Sequence, residues 1–414
     1  MEADLIPQQV EQTGEQTDTA DLVVGILADF DAEAHARMFD ALRGLPAPLR
    51  VAVVQRDHQE IPPSSSETAP ASAHVFPVAS PLAKLSGTAA GLPSMSAQYQ
   101  SVFAAADKLQ ARACCIVAST LEMASPESTW QMARPLFEND VDLVLPHYAR
   151  RKFEGLLNVG IIAPMLRALY GKRVNNPMGP DFGVSRRLFE KILAASGGTN
   201  SGNRPHPLAS LTPVALCQNL QIIEVYLGPR VYPPMDWSTM SSVLADVLTP
   251  VFLDMERNAS CWQRMRVSSP VPAIGTPFRL GEDGGTMDTT RMIESFQLGN
   301  RELGEIWGMV LPASTLFELR KLSRLPLDQF RMPDDLWVKI VYDFAIAHRL
   351  RTISRDHLLR SMTPLYAGWA ASYALELLLS ASSPERRLER LSLAFEAGKP
   401  HLVSRWRWPD RFNP

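Results

Sequence analysis

Short apolar runs alternate with amphipathic stretches along the first part of the chain. The runs LVVGILADF (22–30) and LRVAVVQR (49–56) are rich in β-branched residues, which is typical of buried strands. Between them, residues 31–45 place apolar side chains at helical spacing and reach a stop at Gly44. A strand, a helix and a strand within about thirty residues form a βαβ unit, which predicts a parallel sheet.

The same alternation continues as far as residue 148. It predicts a third strand, a helix, a fourth strand, another helix and a fifth strand at 74–80, 94–110, 111–119, 126–139 and 141–148. Five or more such strands predict a doubly wound α/β domain, which we place at residues 21–235. Ligands in these sheets bind beyond the carboxyl ends of the strands. Those ends are Ala28-Asp29, Gln55-Arg56, Ala118-Ser119-Thr120 and 146–151.

Long helical patterns replace the alternation after Pro233 and Pro234. They occupy 238–257, 287–308, 312–324, 334–350, 355–380 and 384–396. These patterns predict a helical C-terminal domain over residues 236–414, and a chain of 414 residues is long enough for two hydrophobic cores. Residues 1–20 are acidic and contain no Lys or Arg, so we expect a disordered tail there.

Charge and cysteine content limit the classes of partner. The formal charge of −3 and the pI near 6.3 give no basic field, so nucleic acid and anionic membranes are not expected as partners. No run approaches the roughly 18 to 20 apolar residues of a membrane span, and the start does not look like a signal peptide. The four cysteines show no metal-ligand spacing. Together these features predict a cytoplasmic protein with reduced cysteines.

One stretch, LPHYARRKFEGLLNVGIIAPMLRALYGKRVNNPMGPDFGVSRRLFEKIL (145–193), concentrates candidate chemistry. Arg150, Arg151 and Lys152 follow a strand and can offset phosphate charge. Asp181 lies in a turn bracketed by Gly179 and Gly183, where it can accept hydrogen bonds from sugar hydroxyls. The alternative is a solvated basic cluster and a structural aspartate in an Asx-type turn.

This stretch, together with RMPDDLWVKIVYDFAIAHR (331–349), HLLRSMTPLYAGW (357–369) and FEAGKPHLVSRW (395–406), resembles bacterial glycosyltransferases with a GT-A fold. The resemblance is to the mannosylglycerate and glucosylglycerate synthases, which transfer a hexose from a nucleotide sugar to a small hydroxy acid. It covers nearly all of the chain after residue 21. It implies a nucleotide-sugar domain at 21–235 and a nucleotide sugar or a sugar as the ligand.

The residues that hold Mg²⁺ or Mn²⁺ in this family are missing from the sequence. The resemblance places the family's D-x-D motif, at the exit of the fourth strand, on Ala118, Ser119 and Thr120. The metal-ligating histidine after a G-x-K/R turn falls on Tyr232 of LGPRVYPPMD. A hard divalent ion needs several oxygen ligands, preferably carboxylates. We therefore expect a degenerate metal site and no cofactor.

At other positions, some of the family's functional residues are replaced in this sequence and others are kept. The family's nucleotide-binding loop is replaced by Gln55-Arg56-Asp57-His58 and a Pro/Ser-rich segment at 59–73. Its Gly-Lys-Gly segment is replaced by KLSGTAAGLPS. An acidic residue that the family has in its acceptor region is expected near Leu208. The positions that survive are Arg150, Lys152, Glu154, Gly155, Gly179 and Asp181. We assign Arg150, Lys152, Glu154, Gly179 and Asp181 to substrate binding.

Three hypotheses follow. In the first, the chain is a pseudoenzyme that keeps the scaffold, binds a sugar or nucleotide, and assembles as a homo-oligomer or with an active paralogue. In the second, it is an active, metal-independent glycosyltransferase that holds the diphosphate with Arg150, Arg151 and Lys152, because cations can replace the ion in stabilising a leaving diphosphate. In the third, the segment 59–73 or the acidic tail is an interaction segment.

Overall fold

The computed structural model of this chain describes residues 19–27, 32–45, 48–55, 73–78, 92–118, 126–197, 206–230, 236–278, 285–379 and 383–409. The predicted disordered tail, apart from Thr19 and Ala20, lies outside these ranges. The segment 59–73 also lies outside them, apart from Ala73.

A mixed sheet forms the centre of the sheet-containing part. Its strands, with those of a small two-stranded pair, are β1 Leu22–Ile26, β2 Arg50–Gln55, β3 His74–Val78, β4 Ala113–Val117, β5 Leu143–Ala149, β6 Lys172–Arg173, β7 Phe182–Ser185, β8 Ile222–Pro229, β9 Ser269–Pro270 and β10 Ala273–Ile274. The described sheet has the order β10-β8-β5-β7-β4-β1-β2-β3, while β6 pairs with β9. All neighbours in the sheet are parallel except β7, which is antiparallel to β4 and β5. The predicted parallel α/β sheet is confirmed, with one reversed strand added.

The reversed strand β7 corrects the predicted turn at 179–183. The turn ends at Asp181, and Phe182 and Gly183 already belong to β7. Gly183 serves packing, because a Cβ at this position would lie 2.8 Å from the carbonyl oxygen of Met132 in the helix above. The prediction that Gly183 permits a tight turn was wrong. A strand of four residues has too short a pattern to separate it from a turn.

Helices cover both faces of the sheet. They are α1 Ala32–Arg43, α2 Leu92–Lys108, α3 Pro126–Glu138, α4 Ala163–Tyr170, α5 Arg186–Gly197 and α6 Pro207–Cys217, with a π-helix at Asn158–Ile162 before α4. Buried side chains of α1 and α3 form the core on one face. Those of α2, α4, α5 and α6 form the core on the other face. This three-layer arrangement is what the predicted βαβ units require.

The C-terminal part is helical, as predicted. Its helices are α7 Met240–Arg257, α8 Ala259–Trp262, α9 Thr289–Glu302, α10 Gly304–Gly308, α11 Ala313–Leu322, α12 Asp334–Leu350, α13 Arg355–Ser361, α14 Thr363–Leu379 and α15 Pro384–Arg407. The single helix predicted at 355–380 is divided at Met362, and Pro364 lies in the first turn of the second helix. The helix predicted to end at 396 continues through Pro400 to Arg407. The hydrophobic core is continuous across the predicted domain boundary at residue 235.

Four stacked rings, which we call the aromatic column, join the C-terminal helices to the sheet-containing part. They are Trp337 of α12 and Tyr366, Trp369 and Tyr373 of α14. Trp369 is central, with ring centroids 5.6 to 5.9 Å from each of the other three. Its six-membered ring packs on Gly160 of the π-helix, and Trp337 Nε1 donates to the Gly160 carbonyl at 2.9 Å. Gly160 therefore forms the contact surface for the column.

The cysteines differ from the prediction. Cys217, at the end of α6, and Cys261 of α8 form a disulfide with a Cα to Cα distance of 5.9 Å. Cys114 and Cys115 are buried free thiols. The expectation of reduced cysteines is therefore wrong for one pair, whose 44-residue separation in sequence gave no sign of spatial proximity. No described helix is both long and apolar enough to cross a membrane.

Candidate ligand-binding site at the carboxyl edge of the sheet

The strand order places a crevice between β1 and β4. From β1 the chain moves through β2 to β3 on one side, whereas β4, β5 and β8 lie on the other side. At such a reversal the connections leave in opposite directions, and ligands bind outside the carboxyl ends of the two strands. The Leu27 N–H donates to the Val117 carbonyl at 2.9 Å, so the two strands remain paired up to the edge. Ala118 follows directly at the rim of the crevice.

Asp181 is the buried carboxylate at this edge. It lies here because β7 runs opposite to its neighbours, so that the residue before β7 lies beside the exits of β4 and β5. Its Oδ1 accepts from the Ala118 N–H at 2.8 Å, and its Oδ2 accepts from the Tyr148 hydroxyl at 3.1 Å. Arg230 Nη1 lies 3.4 Å from Oδ2. One carboxylate thus joins the exits of β4, β5 and β8.

Arg230 was not among the residues predicted from the sequence. It follows β8, and its side chain is only 14% exposed. Its guanidinium carbon lies 5.2 Å from the centroid of the Tyr148 ring, which adds a cation–π contact to the ion pair with Asp181. Arg230 could have been identified from the sequence, because LGPR ends a strand and the carboxyl ends of strands form the binding edge.

The described residues do not fit a divalent metal. Both oxygens of Asp181 already accept from donors, and a cationic guanidinium lies beside one of them. The side chain of Ala118 has no ligand atom. Among the described residues, no three His, Cys, Asp or Glu side chains form a group that could hold an ion. Ser119, Thr120 and Tyr232, the remaining positions of the predicted degenerate site, lie outside the described residues.

The basic segment, Arg150 to Lys152, begins two residues after Tyr148, whose hydroxyl donates to Asp181. Arg151 is exposed and Lys152 is half-buried. The carboxylate of Glu154 accepts from the Arg151 backbone N–H at 2.8 Å, and the Lys152 carbonyl accepts from the Tyr373 hydroxyl at 3.1 Å. The structure thus places Glu154 as a residue that fixes the turn and orients these cations. Its predicted contact with substrate stays a prediction.

The turn after the basic segment depends on a glycine. Gly155 has φ +63°, a left-handed conformation that side chains rarely adopt. A Cβ at this position would lie 3.8 Å from Arg150 Nη1, so the guanidinium lies alongside the bare backbone. Glu154 and Gly155 therefore form a turn that sets the direction of the backbone after Lys152.

The 174–181 loop leads to Asp181 and contains Gly179. Glu224 of β8 is buried beneath it and accepts from the Asn175 N–H at 2.7 Å and from Asn175 Nδ2 at 2.8 Å. Burial raises the pKa of Glu224. Three further side chains donate to backbone carbonyls of the loop. Asn158 donates to the Asn175 carbonyl at 2.7 Å, Thr212 to the Pro177 carbonyl at 2.9 Å and Tyr99 to the Pro180 carbonyl at 3.4 Å. Side chains from four elements therefore hold the loop.

Sequence reasoning missed these anchors. Glu224 was detectable in principle, since it is the only acid in the apolar strand IIEVYL, and a buried charge needs partners. Asn158, Thr212 and Tyr99 carry no such signal, because ordinary polar residues on helices give no indication of which loop they face. Leu208, the position near the expected acidic residue, is buried on α6 at 4% exposure and adds no polar group.

His147 of β5 lies beside this loop. Its ring centroid is 4.7 Å from that of Tyr226, and its Nδ1 is 3.4 Å from Asn175 Nδ2. Burial, and secondarily the charge of Arg150, lower the pKa of His147 from 6.5 to about 4. The imidazole is therefore neutral near pH 7, and its 3.9 Å approach to Glu224 is not an ion pair there.

We predict that this histidine makes the fold acid-sensitive. The unfolded chain binds a proton at His147 below pH 6.5, whereas the folded chain does so only near pH 4. Stability is therefore full above pH 6.5 and falls as the pH decreases towards 4, by up to about 1.4 kcal/mol per pH unit. His147→Asn, which keeps an acceptor atom, should lose less stability between pH 7 and 5 in urea unfolding. Equal losses in both proteins would contradict the assignment.

Comparisons with known proteins show a distant likeness. No protein-family model and no curated protein matches the sequence. The chain is similar to glucosyl-3-phosphoglycerate synthase from Mycobacterium tuberculosis in complex with Mn²⁺, uridine-diphosphate-glucose and phosphoglyceric acid, with 16% identity and a TM-score of 0.36. The similarity covers 58% of this chain and 80% of that chain.

A second solved structure gives similar values. Mannosyl-3-phosphoglycerate synthase from Rubrobacter xylanophilus is 17% identical, with a TM-score of 0.33, and the similarity covers 59% of this chain and 77% of that chain. Both TM-scores are low, and the sequence identities are 16% and 17%.

Proposed function

We propose that this chain is a nucleotide-sugar-binding protein of the GT-A glycosyltransferase type in which metal-dependent transfer is impaired. The observation that supports this most is the engagement of Asp181, beside the exits of β4 and β5, by three donors. A carboxylate engaged by an N–H, a hydroxyl and a guanidinium has little capacity left for a metal or for a reacting hydroxyl. Ala118, beside it, contributes only backbone.

The charges at the same edge support binding of an anionic ligand. The three cations of the basic segment directly follow β5, and Arg230 directly follows β8. Cations gathered at the carboxyl edge of a parallel sheet are suited to a diphosphate group, because guanidinium groups bind phosphate oxygens in pairs. The sugar would then lie towards the 174–181 loop, and Gly179 of this loop would contact it.

A protein with an impaired site can still act by binding to other protein chains. We propose that the chain acts in the cytoplasm, as a homo-oligomer or as the partner of an active paralogue whose activity it modulates.

A metal-independent glycosyltransferase is the second candidate, and Arg230 favours it. In this reaction the bond between the anomeric carbon and the diphosphate breaks, a bond to an acceptor hydroxyl oxygen forms, and the hydroxyl proton is released. The departing diphosphate needs its negative charge stabilised, and Arg230 adds a fourth cation to the basic segment at this edge. Transfer activity that survives EDTA and is lost in Arg150→Ala would establish this candidate over the first.

We predict that a nucleotide sugar stabilises the protein without metal. Thermal unfolding with UDP-glucose or GDP-mannose should give the same upward shift in EDTA as in Mn²⁺, because the basic segment neutralises the diphosphate. Arg150→Ala and Lys152→Ala should each raise the dissociation constant about tenfold, the loss of roughly one charged hydrogen bond. The matched control is Lys339→Ala, whose side chain is 47% exposed on α12 and pairs with Asp335.

Two results would contradict the proposal. A thermal shift that requires Mn²⁺ would show that the site holds a metal. Hexose transfer by the purified chain that is abolished both by EDTA and by Asp181→Ala would show an intact metal-dependent enzyme.

A further inference from the structure

The disulfide joins two parts of the molecule that the sequence predicts to be separate domains. Cys217 is the last residue of α6, within residues 21–235, and Cys261 lies in α8, within residues 236–414. Both residues are partly exposed, unlike the buried thiols of Cys114 and Cys115. A disulfide at the surface is accessible to a reductant, which is a feature of regulatory rather than permanently oxidised pairs.

The helix that carries Cys217 also contacts the 174–181 loop. Thr212, five residues earlier on α6, is 1% exposed and donates to the Pro177 carbonyl at 2.9 Å. Ser210 on the same helix donates to Asp254 of α7 at 2.9 Å. A displacement of α6 would therefore reach the 174–181 loop through a single hydrogen bond, and the loop ends at Asp181.

We propose that Cys217 and Cys261 form a reversible thiol–disulfide switch that sets how firmly the 174–181 loop is held. In the oxidised form the bond fixes the end of α6 to α8, and Thr212 keeps its contact with the loop. In the reduced form α6 is held by noncovalent packing alone, and the loop opens more often. The inference concerns the conformation of the loop and does not depend on which ligand the crevice binds.

Reduction requires a dithiol. A thiolate of the dithiol attacks one sulfur of the pair, the Cys217–Cys261 bond breaks, and a mixed disulfide forms. The second dithiol sulfur then displaces the remaining cysteine, so the dithiol leaves as a disulfide and the protein gains two electrons and two protons. Oxidation by a disulfide such as oxidised glutathione reverses the exchange.

The test compares the full chain after treatment with oxidised glutathione and after treatment with dithiothreitol. Peptide mapping without reductant should recover the Cys217–Cys261 link only in the oxidised sample. Reduction should lower the midpoint of thermal unfolding by roughly 5 °C, because a cross-link that closes a loop of this length constrains the unfolded chain. Amide hydrogen exchange in the 174–181 loop should become about tenfold faster on reduction.

Two variants separate the cross-link from its coupling to the loop. Cys217→Ala/Cys261→Ala should behave like the reduced protein under both conditions. Thr212→Val should keep the thermal shift, while its loop should exchange fast in both redox states because the hydrogen bond to Pro177 is lost. Free thiols at Cys217 and Cys261 after oxidation, in addition to those of Cys114 and Cys115, would overturn the proposal, and so would loop exchange that is the same in oxidised and reduced wild type.

Discussion

Asp181→Asn is expected to lower the free energy of unfolding by about 3 kcal/mol. The change leaves Arg230, with a side chain only 14% exposed, without its anionic partner. It also replaces one acceptor oxygen by an NH₂ group, so the Tyr148 hydroxyl can no longer donate to that atom while the other oxygen accepts from the Ala118 N–H. Urea unfolding followed by circular dichroism measures the loss.

The control for Asp181→Asn is an exposed aspartate. Asp335, whose side chain is 71% exposed, pairs with Lys339, and Asp335→Asn should cost less than about 1 kcal/mol. The double variant Asp181→Asn/Arg230→Met should recover part of the lost stability, because it removes the mostly buried cation together with the carboxylate that pairs with it. If Asp181→Asn cost no more than Asp335→Asn, the carboxylate would not be the link between the strand exits.

Gly160→Ala is expected to destabilise the protein by about 3 kcal/mol, the upper range for overpacking a core. A Cβ on Gly160 would lie 2.9 Å from Cζ2 of Trp369 and would overlap Cη2 and Cζ3 of the same ring. Trp369 cannot move aside easily, since it is fully buried and stacks on three other rings. Thermal and urea unfolding measure the effect.

A second substitution tests the cause of this effect. Trp369→Phe removes the outer ring atoms that the new Cβ would meet, so Gly160→Ala/Trp369→Phe should be more stable than Gly160→Ala alone. The control is Gly308→Ala, because Gly308 has no atom within 4 Å of its Cβ position and the change should stay within about 0.5 kcal/mol. Additive losses in the double variant would show that the ring is not the obstacle.

The aromatic column also connects this core to the proposed site. Tyr373, at one end of the column, donates to the Lys152 carbonyl at 3.1 Å. A shift of Trp369 in Gly160→Ala would therefore pass to the basic segment through the stacked ring of Tyr373. The sequence showed these four residues only as parts of apolar helical patterns, because their mutual stacking depends on how α12 and α14 pack together.

The sequence predicted the layers of the fold well. Buried strands such as 51–54 and 113–117 have continuous apolar runs, and helices such as α12 have an apolar stripe, so local pattern identifies both. It predicted poorly where a segment is short or where a helix continues past the end of its apolar pattern. The four-residue strand β7 and the extension of α15 through Pro400 are the two examples.

For the site, the sequence by itself placed the basic segment at the carboxyl edge of the sheet, because strand ends can be read from local pattern, and it named Asp181 as a candidate in a turn; the reversed strand β7 brought Asp181 to that edge. Only the tertiary structure decided what these residues touch. The partners of Asp181 come from residues 118, 148 and 230, the 174–181 loop is held from four elements, and Cys217 meets Cys261 across 44 residues. The reason is physical: hydrogen bonds, ion pairs and disulfides depend on distances that the packing of remote segments sets, and no local periodicity encodes those distances.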